Sequence, residues 1–184
     1  MSLPDSVVNL KHLSRLDCSG CSSLTEIPKN IGFLPSLRQL SLQESSVGKL
    51  PENIVHLSSL KSLDLSDCKR LESIPRLPPH MNQLLAFDCP SIKRVMSNSI
   101  STRIDLNLPS DSNETCALKF HFTNSQELDA SAHSSIATEA WIRSTKVAYK
   151  SVFFCLPGSA IPTWFPYRWQ GLSVTAKKDS RLVQ

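Results

Sequence analysis

The chain has 184 residues, of which 40% are hydrophobic, so it can form one sizeable core or two smaller ones. Its 20 basic and 16 acidic residues give a formal net charge of +4, and the basic residues are scattered, which disfavours a nucleic-acid partner. No apolar run approaches the ~20 residues of a membrane-spanning helix, so we expect a soluble protein without a membrane partner.

The first half of the chain repeats with a period of 23 or 24 residues. Residues 3–26, 27–49 and 50–73 align, and a degenerate fourth unit follows. Within each unit an LxxLxL segment predicts a short strand, and the remainder predicts a looser return segment. One unit cannot bury its apolar side alone, so the units must stack. The matching positions are Pro4, Pro28 and Pro51; Val7, Ile31 and Ile54; and Leu16, Leu40 and Leu63. Residues 1–96 are therefore predicted to form an α/β leucine-rich-repeat solenoid with short parallel strands on its concave face.

The residues that flank the inward leucines of each strand should face solvent on the concave side. In the second and third units they are polar, which suits contact with a protein. The predicted protein-binding residues are Gln39, Ser41, Gln43, Ser62, Asp64 and Ser66. The fourth unit presents Leu85 and Phe87 instead, and we expect the following domain to pack over this pair. Asp17 and Asp64 could also suggest a carboxylate or metal site, but no histidine lies in these columns, so solvated carboxylates are favoured.

Six cysteines are present, and Cys18 and Cys21 match the CxxC spacing of half a zinc site or a redox motif. The favoured interpretation is structural, because Cys21, Cys68 and Cys89 share one position across the units. A small side chain there can pack inward and bond backbone groups that the coil leaves unpaired. We therefore expect no metal and no cofactor, and packed thiols typical of a reducing compartment.

Three prolines in residues 74–80 predict an extended stretch that ends the regular repeats. Residues 97–115 are rich in Ser, Asn, Asp and Thr and predict a linker, so that residues 116–184 form a second, mainly β domain. In it we expect a strand from Cys116, a helix from Asp129 to about Tyr149 capped by Asp129 or Ser131, and further strands at 151–156 and 172–176.

The segment LPGSAIPTWFPYRWQG concentrates prolines and aromatic residues between two of these strands. Such a stiffened loop can plug the end of a β-sandwich or serve as a binding hot spot, and the plug is favoured. Its marked positions are Pro157, Gly158, Ile161, Pro162, Trp164 and Phe165.

Repeats of the form IPxxIxxLxxLxxLxLxxC, followed by FTNSQELD, CLPGSAIPTWF and GLSVTAK, resemble the C-terminal part of plant TIR-NB-LRR disease-resistance receptors. The resemblance covers essentially the whole chain. It implies that the repeats precede a post-LRR domain of the C-terminal jelly-roll and Ig-like (C-JID) kind, a β-sandwich that is incomplete here. It also implies that the concave face and the post-LRR domain contact a pathogen effector, and that the 157–165 loop is the family's signature loop.

The resemblance has limits that bear on function. The family's TIR domain and P-loop have no counterpart, since GxxxxGK[ST] does not occur, so we expect no enzyme and no small-molecule substrate. The first residues already lie inside a repeat, and we expect either a part of something longer or an abbreviated gene product. The leading hypothesis is a non-enzymatic recognition fragment of an intracellular immune receptor, in the cytoplasm or the nucleus, whose partner is an effector or the rest of the receptor. The alternatives are a member of a family with NAD-cleaving and ADP-binding activity whose catalytic domains are absent, and a generic extracellular leucine-rich-repeat binding module.

Overall fold

The structure, a computed structural model, describes residues 1–96, 117–146, 151–156 and 174–177. Short 3₁₀ turns at Asp5–Asn9, Ile31–Phe33 and Glu52–His56 lie in the return segments. The strands and the helix are β1 Arg15–Asp17, β2 Gln39–Ser41, β3 Ser62–Asp64, β4 Ser73–Ile74, β5 Gln83–Leu85, β6 Arg94–Val95, β7 Ala117–His121, α1 Ala130–Lys146, β8 Ser151–Cys155 and β9 Val174–Lys177. No helix among these residues is long and apolar enough to cross a membrane.

The repeat units form coils that contribute neighbouring strands to one sheet, in the order β1-β2-β3-β5-β7-β8-β9. All of its pairings are parallel except the last, between β8 and β9. Leu16 lies opposite Leu40, and Leu40 lies opposite Leu63, as the repeat alignment predicts. The predicted solenoid is therefore confirmed.

The inward side chains of successive coils form one continuous core. Leu40, Leu63 and Leu84 are at most 2% exposed, whereas Leu16 in the first coil is half-buried because no coil covers its outer side. In the return segments, Pro4 and Pro51 precede 3₁₀ turns with φ near −69° and −68°. Proline favours this φ, so the recurring prolines begin each return segment at the same place.

A residue with positive φ recurs a few residues beyond β1, β2, β3, β5 and β7. The angles are 73° at Gly20, 57° at Glu44, 60° at Asp67, 54° at Asp88 and 61° at Asn124. The first four residues each donate their backbone N–H to a carbonyl of the next coil, at 2.8 to 3.0 Å. Asx side chains tolerate this left-handed conformation better than most, and the bonds keep the coils in register.

The recurring cysteine position links each coil to the one before it. The Cys68 thiol donates to the Leu42 carbonyl at 3.1 Å, and the Cys89 thiol donates to the Leu65 carbonyl at 3.0 Å. Burial raises the pKa of Cys89 to about 12, so this thiol keeps its proton. The prediction of packed thiols is confirmed for Cys68 and Cys89 and is wrong for Cys21, which is exposed because its coil is the first of the stack.

Ala117–His121 continues the repeat sheet. Phe120 lies opposite Leu84 in the register of β5 and β7, and Ser125 donates its hydroxyl to the Ala86 carbonyl at 2.8 Å, as the cysteines do in earlier coils. The predicted β-sandwich is not confirmed, because every described strand after residue 116 joins this sheet. The domain limits at 97–115 stay a prediction, and the linker itself lies outside the described residues.

Helix α1 crosses between the parallel strands β7 and β8. Its start agrees with the prediction, since Asp129 Oδ1 accepts hydrogen bonds from the Ala132 N–H and the Ser131 hydroxyl, both at 2.6 Å. Ile136, Ala137 and Ala140 of this helix are buried in the core.

Candidate protein-binding face

The predicted binding residues of the second and third coils lie side by side on one face of the sheet. Gln39 lies opposite Ser62, and Ser41 lies opposite Asp64. Gln39 is exposed, and Ser41, Gln43, Ser62 and Asp64 are partly exposed. We call the outward side chains of the coils that contain β1, β2 and β3 the polar half of the face.

Side chains of the polar half bond to one another. The Ser19 and Ser41 hydroxyls are 2.7 Å apart. Asp17 Oδ1 accepts hydrogen bonds from the Ser19 hydroxyl at 2.6 Å and from its N–H at 3.1 Å, and Asp17 Oδ2 lies 2.9 Å from the Arg15 guanidinium. These bonds, those from Ser19 above all, lower the pKa of Asp17 to about 2. Asp17 and Asp64 thus each accept hydrogen bonds from a serine of their own turn, Ser19 and Ser66.

Ser66 does not belong to the accessible face, so its prediction as a contact residue is wrong. It is 0% exposed, and Asp64 Oδ1 accepts its backbone N–H at 2.9 Å. This bond turns the chain directly after β3, and the next residue, Asp67, donates its N–H to the Phe87 carbonyl at 3.0 Å. The turn and the neighbouring coil thereby enclose the Ser66 side chain, and its hydroxyl has no hydrogen-bond partner.

The fourth and later coils carry aromatic side chains where the earlier coils carry polar ones. Leu85 lies opposite His121, and the Phe87 and His121 ring centroids are 5.4 Å apart with a tilted arrangement of 41°. His121 in turn contacts Phe153 edge-on, with centroids 5.4 Å apart. All four side chains are partly exposed, so Leu85 and Phe87 lie beside the next strand without being fully covered by it. We call Phe87, His121 and Phe153 the aromatic strip.

His121 and Phe153 are absent from the predicted site. The signal that could have identified His121 is the segment FHFTNS, which places His121 and Thr123 where earlier coils have Leu85 and Phe87. The His121 Nε2 lies 2.6 Å from the Thr123 hydroxyl, which lies 3.2 Å from the Cys155 thiol. Burial lowers the pKa of His121, with a smaller opposing effect from the charge of Asp88.

Acidic side chains lie along the carboxyl ends of the strands. Asp67 and Asp88 occupy the recurring turn position, and Asn124 Nδ2 donates to Asp88 Oδ1 at 2.8 Å. Lys69 Nζ binds Asp67 Oδ1 at 2.8 Å and the Asp88 carbonyl at 2.9 Å. We call Asp64, Asp67 and Asp88 the acidic margin, and Lys69 is the cation that the structure places among them.

A buried ion pair, also missed in the sequence, fixes helix α1 to the proline-rich stretch. Arg143 and Glu139 side chains are 5% and 6% exposed, and Arg143 Nε donates to Glu139 Oε1 at 2.7 Å. The same guanidinium donates to the carbonyls of Pro78, Pro79 and Met81 at 2.9, 3.1 and 2.6 Å. We call this arrangement the arginine clasp. It gives hydrogen-bond partners to carbonyls that the irregular stretch does not pair within a sheet.

The signature-loop positions Pro157, Gly158, Ile161, Pro162, Trp164 and Phe165 lie outside the described residues.

One of the comparisons with known proteins, the family match, agrees with the repeat architecture. The Leucine Rich Repeat family matches residues 59–81. The disease resistance-like protein DSC1 of Arabidopsis thaliana is 33% identical over 175 residues, which cover 88% of this chain and 14% of that protein. A solved structure of the plant peptide hormone receptor RGFR1 in complex with RGF2 covers 53% of this chain and 22% of its own, at 20% identity and a TM-score of 0.33. The chain thus matches the Leucine Rich Repeat family over one unit, spans about a seventh of the length of its disease resistance-like relative and is similar to that relative over most of its own length.

Proposed function

We propose that this chain is a non-enzymatic recognition part of an intracellular plant immune receptor of the TIR-NB-LRR kind. Its sheet face, together with a C-terminal part of the C-JID kind, binds a pathogen effector or another part of the same receptor. The proposed compartment is the cytoplasm or the nucleus. The role in defence rests on the similarity to the disease resistance-like relative.

The observation that carries this proposal is the sheet face itself. Its outward residues stand on strands whose inward leucines are almost fully buried, as at Leu40 and Leu63. Such a backbone needs little ordering on binding, so contacts made by the outward side chains are converted into affinity at low entropic cost. The outward residues Gln39, Ser41 and Asp64 then determine which partner fits.

The proposal can be tested by changing the face without changing the core. The full chain would be screened against a panel of pathogen effector proteins with a quantitative binding assay, and each binding pair would be repeated with Gln39→Arg. Gln39 is exposed, so the variant should fold normally. The larger, positively charged arginine side chain should nevertheless disturb the binding of a partner to this face. The matched control is Glu52→Arg, at an exposed position in a return segment.

We expect Gln39→Arg to weaken binding and Glu52→Arg to leave it unchanged. The reverse pattern would place the binding surface on the return segments and contradict the proposal. The non-enzymatic part has its own test: the purified chain should neither release nicotinamide from NAD nor bind ADP in calorimetry, and either activity would overturn it.

A further inference from the structure

We propose that the aromatic strip is the docking site for a basic side chain, arginine or lysine, of the protein partner. This inference rests on the proposed function and deepens it by naming the chemistry of the partner. The partner segment would carry the cation beside an apolar residue, with the cation over the rings and the apolar residue against Leu85.

The shape of the strip suits a single long side chain. Phe87 follows β5, whereas His121 lies on β7 and Phe153 on β8, the next two strands of the sheet, and successive ring centroids are 5.4 Å apart. The rings are tilted or edge-on to one another rather than stacked face to face. They are only partly buried, so ring surface remains available to a partner. The faces of aromatic rings carry partial negative charge, and they attract arginine and lysine cations that lie within about 6 Å.

The charges around the strip favour a cation over an anion. The Asp88 carboxylate lies close enough to His121 to influence its pKa, and the neighbouring turn adds Asp67. Against the three carboxylates of the acidic margin stand two cations, Lys69, which is already bonded to Asp67, and Lys119, which is exposed and lies opposite Phe153, so the carboxylates outnumber the cations. Because burial lowers the pKa of His121, the imidazole is mostly neutral at pH 7 and does not repel a cation. An acidic segment would instead meet like charges at the margin.

The test uses random peptides displayed on phage and selected on the folded full chain. We expect the selected peptides to be enriched in arginine or lysine next to an apolar residue. Synthetic copies of the enriched peptides would then be titrated against the chain and its variants. Phe87→Leu keeps an apolar side chain but removes the ring, so binding should weaken about fivefold. Phe33→Leu, at an aromatic residue that is 65% exposed in a return segment, is the matched control and should bind as the unchanged chain does.

A second variant separates charge from folding. Asp88→Asn preserves the turn, since asparagine occupies the same position at Asn124, but it removes one carboxylate from the margin. This variant should bind the basic peptides more weakly, and their affinity for it should depend less on salt concentration. The result is informative even if Phe87→Leu fails to fold.

Three outcomes would overturn the inference: no selected peptide, selected peptides that are acidic or uncharged, or basic peptides that are insensitive to both Phe87→Leu and Asp88→Asn. None of these bears on the proposed function, whose own tests are the effect of Gln39→Arg on effector binding and the assays for NAD cleavage and ADP binding. Conversely, basic peptides that need Phe87 would support the strip even if the effector panel yields no partner.

Discussion

The polar half and the aromatic strip share one backbone arrangement but differ in what their side chains do. In the polar half, Ser19 and Ser41 bond to each other and Asp17 bonds to its own turn. A partner must exchange these bonds for its own, so the net gain per contact is small. In the strip, Phe87 and Phe153 can gain from burial of ring surface. We therefore expect the strip to supply affinity and the polar half to supply partner discrimination.

The two regions are also held in place differently. The polar half follows from local repetition, in which each coil bonds to the next through the turn residues and the cysteine position. The strip depends on β7 and β8, which are joined by helix α1, and α1 is fixed to the repeats by the arginine clasp. Disrupting the clasp should therefore affect the strip more than the polar half.

The largest expected effect is that of Arg143→Met. The substitution leaves the Glu139 carboxylate buried without its cation and removes the donors to the Pro78, Pro79 and Met81 carbonyls. Breaking a buried ion pair from one side costs about 3–5 kcal/mol, and we expect a loss of that size in the free energy of unfolding, measured by urea denaturation.

The matched control for the clasp is the double variant Arg143→Met with Glu139→Leu. Because both charges of the clasp are removed together, the double variant should lose less stability than Arg143→Met alone. Hydrogen exchange should show the loss of protection concentrated in β7 and α1 rather than in β2 and β3. An even loss over the whole sheet, or none, would contradict the distinction between the two regions.

An intermediate effect is expected where the two regions use the same bond. Cys68→Ala and Ser125→Ala each remove a donor to a carbonyl of the preceding coil, one in each region. Each should lower the free energy of unfolding by about 1 kcal/mol, because a buried carbonyl loses its partner. Cys68→Ser and Ser125→Cys keep a donor and should recover most of the loss. If Cys68→Ser were as destabilising as Cys68→Ala, the bond would not be the cause.

The sequence was informative where structure is local and periodic. The spacing of Leu16, Leu40 and Leu63 was enough to predict the sheet register, and Asp129 was enough to place the start of α1. The next coil was missed because Ser125 follows Cys89 by 36 residues, well outside the repeat period. In the sequence, FHFTNS is therefore interpreted as part of an isolated strand of a separate domain, although it continues the sheet of the repeats.

The clasp and the burial of Ser66 were beyond sequence reasoning for another reason. A glutamate and an arginine four residues apart on a helix usually form a surface ion pair, but Glu139 and Arg143 are buried where Arg143 binds carbonyls 62 to 65 residues away. Ser66 occupies an outward position by alternation, but the turn bond of Asp64 and the next coil enclose it. Both depend on long-range packing, which a one-dimensional pattern does not contain.

The smallest expected effect is a difference in pH dependence between the two regions. Burial holds the pKa of His121, and that of His80, below the ordinary value of 6.5. As pH falls through 6.5, the unfolded chain therefore takes up protons that the folded chain does not, and stability should decrease. In the polar half, Asp17 has its pKa lowered from 3.8 to about 2, so its contribution is complete above pH 3.8 and is lost only as pH falls toward 2.

Urea denaturation at a series of pH values would separate these two windows. The double variant His80→Gln with His121→Gln should have a smaller decrease in stability just below pH 6.5, because glutamine does not titrate. Its loss of stability below pH 3.8 should be unchanged. Asp17→Asn should do the opposite, since it removes a carboxylate with a lowered pKa and leaves both histidines in place. If Asp17→Asn altered stability near pH 6.5, or the histidine variant altered only the acid limb, the assignment of these windows to the two regions would be wrong.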